Sequence, residues 1–440
     1  MKRALFIFRR DLRLQDNIAL DEALGNADEI VPAFIFDPRQ VGKNPYKSRN
    51  AVQFMVESLK ELDSGLRNKG SRLYLFYGKA EEIAKNLIGG GEVDSVFLNL
   101  DYTPFSRKRD SAIERVCSKE GAEFYGLHDC LLHKPGSVLK DDGEPYVVYS
   151  AFRKKAKKNR IRKPRGNRKS SYFRGKMRGE MGNAIYKKVL GEENEDIFAQ
   201  GGRKNALRIL RNLEKYKNYP KERDYPAKEA TTGLSPHNKF GTVSIREVYW
   251  AIAGKLGKRH GLIGELYWRE FFTHIGWFFP KVFRGPFREQ YSKIRWENGK
   301  KKFGAWCEGK TGYPLVDAGM RQLNKTGYMH NRVRMVAASF LVKDLHIDWR
   351  WGEKYFAQKL VDYDRAVNNG NWQWIASTGC DAQPYFRIFN PESQRKKYDP
   401  GNRYVEKWAD EYREGKYPAK IVEHKKEAEK AKKEYKKMKK

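Results

Sequence analysis

The sequence predicts a two-part chain, an α/β domain on a parallel sheet followed by an all-helical domain. Three observations carry this. Five compact apolar runs recur through the first 127 residues, with helix-like segments between them. Beyond residue 200 the apolar residues shift to three- and four-residue spacing. All ten tryptophans lie between Trp250 and Trp408, so the first part has none.

In chain order, the predicted strands are 4–8 (ALFIF), 30–36 (IVPAFIF), 72–77 (RLYLFY), 93–98 (VDSVFL) and 122–126 (AEFYG). The segment 50–68 (NAVQFMVESLKELDSGLRN) reads as a long helix between the second and third. Strands alternating with helices of this length make βαβ units, so a Rossmann-like parallel sheet is expected over residues 1–127. It has no GxGxxG and no Walker loop, and GGGE at 89–92 has neither the pattern nor the placement. A ligand crevice beyond the strand ends remains available to such a sheet.

Residues 128–200 read as a basic interdomain linker. From Arg153 to Lys169 eleven of seventeen residues are basic and none is acidic. Such a block repels itself and stays extended or solvent-facing. It reads either as a solvated linker or as a flexible arm making phosphate contacts. The helical domain is placed at 201–425, with helical periodicity at 203–216, 244–256, 262–275, 316–325 and 332–345. A Lys-rich tail, 426–440, carries a thin apolar stripe and is expected to form a frayed, solvated helix.

The formal charge is +34, from 89 Lys plus Arg against 55 Asp plus Glu. That field favours polyanions; a charge kept for solubility is the other reading. The four cysteines are widely spaced and make no zinc pattern, and no His/Glu set has ligand spacing, so no metal is assigned. The N-terminal apolar run is too short for a signal peptide, and no stretch approaches a membrane span. A reducing intracellular compartment fits.

Four polar and aromatic constellations stand out in the helical part. In 219–235, the turn TTGLS offers hydroxyls and backbone N–H groups, for ordinary capping or for phosphate oxygens. In GELYWREFF, Glu265, Trp268 and Arg269 share one helical face. They suit either base stacking with hydrogen bonding or a buried ion pair against a packed indole. In GYMHNRVRM, Asn331, Arg334 and Met335 share a face beside His330, which reads as structural. In 360–379, Asp362 and Asp364 precede Asn368, Trp372 and Trp374. The two carboxylates can cap, pair with arginines or accept from a cofactor. Composition near Gly370 places a helix start there, which would point Trp372 and Trp374 in different directions.

These residues also carry a family resemblance. FRRDLRLQDN (8–17), TTGLSP (231–236), ELYWREFF (265–272), WCEGKTGYPLVDAGMRQLNKTGYMHNRVRM (306–335), SFLVKDLHIDWR (339–350) and NNGNWQWIASTGCDAQPYFRIFNP (368–391) resemble class I cyclobutane pyrimidine dimer photolyases of the photolyase–cryptochrome family. The resemblance spans about residues 1–425 and implies FAD in the helical domain. By position, Tyr219, Thr231, Thr232, Gly233, Leu234 and Ser235 look like the phosphate-side contacts of the cofactor. Arg334 and Asp362 look like its flanking ion pair, Asp364 like a ribityl or isoalloxazine contact, and Asn368 like the residue facing flavin N5. Asn331 belongs to both the cofactor and the substrate face. Glu265 corresponds to the acid that binds the dimer bases. Trp268 and Trp374 look like the pocket walls, with Arg332 and Met335 completing them. Tyr328 stands where many relatives have Trp. Trp372, Trp349 and Trp296 look like a relay, proximal to distal, that photoreduces the flavin.

The implied activity is blue-light-driven splitting of pyrimidine dimers in UV-damaged DNA by a carbon–carbon lyase. The implied enzyme is a monomer, cytoplasmic and nucleoid-associated when bound to DNA. Asn368 and the absence of a long signalling tail argue against a cryptochrome-type receptor, and MHNRVR lacks the paired histidines of (6–4) photolyases. DYTPFSRKRD (101–110) lacks the Asn-Glu pair of folate-binding members, so a deazaflavin or flavin antenna is expected ahead of a folate. The 42–54 segment is expected to border that crevice.

Overall fold

The five expected runs form one parallel sheet in the computed structural model, which describes residues 1–438. The strands are β1 Arg3–Phe8, β2 Glu29–Phe36, β3 Tyr74–Tyr77, β4 Ser95–Asn99 and β5 Glu123–Leu127, in the order β3-β2-β1-β4-β5. Nearly every residue of β1 and β2 is buried, as expected for a sheet with helices on both faces. Ala4, Phe6 and Phe8 join the core on one face, and Leu5 and Ile7 the core on the other. Strand order reverses between β1 and β4, so the crevice lies at their carboxyl ends, where Arg9–Asp11 and Leu100–Asp101 emerge.

The linker segment is built into both halves. Helix Tyr149–Ala156 packs on helix Gly261–Phe278, and helix Ala184–Leu190 packs on Arg49–Arg67. Residues 160–169 are extended and mostly solvent-facing, as expected of the charge block. They are not a flexible arm. Ile161 and Asn167 are buried, Arg162 pairs with Asp16 at 2.6 Å, and Asn167 N donates to Gln15 Oε1 at 2.6 Å. The acids of the first domain supply the counter-charge that the block lacks within itself.

The tail also departs from expectation. Helix His424–Lys437 buries Ala428, Ala431 and Tyr435. The Tyr435 hydroxyl donates to Ala376 O at 2.8 Å, and its ring lies 3.3 Å from Lys343 Nζ. His424 Nδ1 meets the fully buried Asp344 at 2.5 Å, and His346 meets Glu427 at 2.8 Å. A stripe of two alanines and one aromatic is thin by count. It suffices because it covers the π-helical turn Phe340–Asp344, whose two charged side chains need partners. The last two residues of the expected tail lie outside the described residues.

Two halves meet along a buried ionic seam. Arg13 Nη2 binds Asp129 Oδ2 at 2.5 Å, while Arg246 reaches Asp129 Oδ1 at 2.7 Å and Asp16 Oδ2 at 2.8 Å. Burial opposes ionisation of Asp129, but Arg13 and Arg246 outweigh it and hold the carboxyl at about 2. Gly241 permits the approach: its φ is +63°, and a Cβ there would meet Arg10 O at 2.1 Å. Among the described residues no helix is long and apolar enough to cross a membrane.

Candidate active site

The Arg365–Ile375 helix organises the site. It begins five residues before Gly370, because Asp364 caps it: Oδ1 accepts from Ala366 N at 3.1 Å and Val367 N at 3.3 Å. Gly370 is therefore mid-helix, and its composition signal had another cause. A Cβ there would meet Phe272 Cδ1 at 2.1 Å, so the glycine lets this helix lie against Gly261–Phe278. The two tryptophans do diverge. Trp372 is buried among Phe356 (5.0 Å) and Trp306 (6.3 Å), whereas Trp374 is half-buried and lines a small cleft with Phe272, Phe287 and Cys380. One turn before Trp372, Asn368 Nδ2 donates to Glu353 O at 3.0 Å and to Glu353 Oε1 at 3.3 Å. Burial pushes the Glu353 carboxyl up to about 7.

The face shared by Glu265, Trp268 and Arg269 splits in three directions. Glu265 pairs with Arg223. Trp268 is stacked by Tyr149 at 3.5 Å and 8°, and by Phe272 at 5.5 Å. Arg269 turns into the domain seam and donates to Cys130 O at 2.7 Å and Asn238 O at 3.3 Å. Neither alternative read from the sequence holds for all three residues. Glu265 and Trp268 stay half-buried at the rim, and the guanidinium is structural.

A second wall joins three segments. Arg334 holds Asp362 through Nη2 at 3.0 Å, and Ser235 Oγ donates to Asp362 Oδ2 at 2.7 Å. This ties the Thr231–Ser235 turn to the two helices that carry Arg334 and Asn368. Gly233 has φ +66°, a conformation the turn requires. Tyr219 and Leu234 are buried behind it. Asn331 is exposed, with Nδ2 3.8 Å from Met335 Sδ. Arg332 pairs with Asp224 at 2.9 Å and lies over Tyr398 at 4.4 Å. His330 is structural as expected, capping the Asn331–Ser339 helix through Nδ1. Tyr328 stacks on Phe198 at 3.7 Å under the Arg334 guanidinium.

Trp372 and Trp349 lie in one buried cluster, and Trp296 packs against it from a half-buried position. The three thus run from core toward surface. Gly352, on the helix Trp349–Lys359, is where Trp372 seats. Arg223, Tyr149 and Glu353 carry no local signal in the sequence, because their roles depend on contacts 42, 115 and 15 positions away. Among the described residues, the buried Asn238 Oδ1 and His330 Nε2 have no protein hydrogen-bond partner. Together with the Thr231–Ser235 turn and the Arg334–Asp362 pair, they fit a large polar-edged heteroaromatic cofactor with phosphates.

Residues 4–167 match the family described as DNA photolyase, and residues 262–415 match the FAD binding domain of DNA photolyase. The deoxyribodipyrimidine photo-lyase of Vibrio cholerae is 35% identical over 96% of this chain and 97% of its own. The chain belongs to the DNA photolyase family. An archaeal photolyase from Sulfolobus tokodaii, solved with two FAD molecules, superimposes with a TM-score of 0.90 at 43% identity, covering 99% of this chain and 100% of that one. A bacterial class III photolyase from Agrobacterium tumefaciens gives 0.91 at 33% identity, over 100% and 98%. The photolyase fold, a parallel-sheet domain with a helical FAD-binding domain, is therefore that of this chain.

At the sheet's crevice, Arg9 binds Asp110 and Asn99 O, while Phe105 lies under Arg39 (5.2 Å) and Arg109 (5.8 Å). The 42–54 segment, expected at this crevice, meets the helical half. Asn50 Nδ2 donates to Lys359 O at 2.7 Å and Gln358 Nε2 to Pro45 O at 3.0 Å, which fastens the segment to the helical half.

Proposed function

We propose that this family member is a class I cyclobutane pyrimidine dimer photolyase, acting on UV-damaged DNA as a monomer in the cytoplasm and nucleoid. The observation that carries this is the joining of the Glu265–Trp268 rim to the Asn368–Trp374 helix through Phe272 and Gly370. It supports a reading in which a carboxylate and two half-buried indoles line a pocket beside FAD. Bound FAD supplies the light-driven electron that opens the cyclobutane ring, and no net redox change results.

The chain's residues then divide the work. Thr231, Thr232, Gly233, Leu234 and Ser235, with Tyr219 behind them, hold the phosphate side of the cofactor. Arg334 and Asp362 flank its ring system, Asp364 sets the helix that carries Asn368, and Asn368 faces the ring. Trp268 and Trp374 wall the pocket for a flipped dinucleotide, whose disrupted pairing lowers the cost of extrusion. Glu265 exchanges Arg223 for the dimer bases and stabilises charge developing there. Arg223 is freed to meet the phosphate, and Arg332, held by Asp224, joins it there with Asn331 and Met335 completing that face. Trp372, Trp349 and Trp296 carry electrons inward to prepare the cofactor. A flavin antenna in the strand-end crevice is supported by the two FAD molecules of the Sulfolobus tokodaii relative.

The test is direct. Purified protein with reduced FAD is mixed with UV-irradiated oligonucleotide, and dimers are counted after blue light and after darkness. Loss of dimers in light alone is expected, and equal counts sink the proposal. Trp372→Phe should block photoreduction while sparing repair by enzyme reduced beforehand; loss of both refutes the division between relay and pocket.

A further inference from the structure

The FRRDLR motif of the sheet domain sends Arg10 to the cap of the helix that carries Asn368. We propose that Arg10 is a positioning residue for electron transfer: its guanidinium clamps the first turn of the Asn368–Trp372 helix to the sheet domain. The proposal rests on the reading above that this helix faces FAD.

Each side of the guanidinium binds a different element. Nη1 donates to Asp101 Oδ1 at 3.0 Å, Nε to Lys239 O at 3.1 Å, and Nη2 to the Asp364 carboxylate. Both carboxylates hold the start of a helix. Asp101 accepts from Tyr102 N at 2.8 Å and Ser106 Oγ at 3.0 Å, at the entry to Pro104–Lys119. Asp364 accepts from Ala366 N and Val367 N, at the entry to Arg365–Ile375. One side chain from the switch point of the sheet therefore joins the two helix starts across the domain seam. Asn368 lies one turn beyond the clamp and Trp372 two turns beyond it.

The surroundings make Arg10 hard to replace. Lys239 and Arg269 are the other cations facing Asp364, with Asp101 the other acid; the Cys130 thiol and Tyr102 phenol border the cluster. Without Arg10, Asp364 loses its closest counter-charge and one of its two oxygens loses its bond. The cap is then free to rotate. A lysine keeps the charge but lacks the planar fork that satisfies two carboxylates and a carbonyl together.

The experiment uses the full chain with Arg10→Met, Arg10→Lys and the double variant R10M/D364N. Amide hydrogen exchange is read without FAD. Photoreduction of oxidised FAD is read against pH in the loaded protein. For Arg10→Met, exchange at residues 366–369 should accelerate, and photoreduction should slow by about ten- to a hundredfold, the upper end being that of a misplacement near 1 Å. Its rate should also gain a pH dependence beyond the parental one, to which Glu353 beside Asn368 already contributes. That added dependence should vanish in the double variant, and Arg10→Lys should be intermediate. A merely structural role would not move the pH profile. If Arg10→Met matches the parent in exchange and in pH profile, the proposal is overturned. Should Arg10→Met fail to fold, Arg10→Lys decides: parental exchange at 366–369 overturns the proposal, and acceleration confined to that turn supports it. A parent that never binds FAD would refute the functional reading, while the exchange arm would still judge the clamp.

Discussion

Gly352→Ala tests how tightly the relay is seated. A Cβ at position 352 would stand 2.1 Å from Trp372 Cη2 and 2.5 Å from Leu341 Cδ2, where ordinary contact starts at 3.4 Å. The indole must therefore retreat by more than about 1 Å. Gly352 shares its helix with Trp349, so the retreat changes the geometry between the first two relay members. Overpacking of this kind costs about 1–3 kcal/mol. At about 2.1 cal/mol/K per residue over 440 residues, each kcal/mol shifts the midpoint by about 1 °C, so the melting temperature should fall by about 1–3 °C. Photoreduction of oxidised FAD should slow by about ten- to a hundredfold. Repair by enzyme reduced beforehand should hold, because Trp374 and Glu265 lie outside the collision. Parental photoreduction and an unchanged melting temperature would refute the seating of Trp372 on Gly352. Repair falling in parallel with photoreduction would refute the separation of relay from pocket.

Three other outcomes are expected. Glu353 has its carboxyl raised from 4.5 to about 7 by burial, so the folded state keeps a proton that the unfolded state has lost, and stability falls as pH rises from about 4.5 through 7. Glu353→Gln should flatten that slope and leave the variant more stable at pH 8 by up to about 3 kcal/mol; parallel urea curves for the two proteins at pH 5 and 8 would contradict this. Arg332→Ala should weaken binding to all DNA sequences alike and reduce the slope of log K against log salt by about 1, and an unchanged slope would remove Arg332 from the phosphate contacts. Tyr435→Ala should cost about 3–5 kcal/mol in urea unfolding, as for a buried aromatic; a loss near zero would restore the frayed tail that the composition suggested.

Much of the fold was legible because its signals are local. The five apolar runs became the five strands within a residue or two, since a strand buried on both faces must be apolar along its length. The helical period after residue 200 likewise placed Ile245–Lys255, Gly261–Phe278 and Pro314–Thr326. The Trp372–Trp374 divergence followed from helical geometry alone. Errors arose where a local signal had a distant cause. Gly370 looked like a helix start but answers to Phe272, almost a hundred residues earlier. The tail looked solvated because its stripe is thin, yet it covers Lys343 and Asp344, whose burial no local window reveals.

The site divides along the same line. The residue types are local information: a carboxylate, indoles, a turn that needs glycine, and the family motifs that order them. Their partners come from the way the chain folds back on itself. Asp364 could have capped a helix or bound an arginine, and it does both, to an arginine 354 positions away. Glu265 takes Arg223, and Trp268 takes Tyr149 from the linker. A side chain's chemistry is a local property, but the group it meets depends on the path of the whole chain, which the packing of two domains sets.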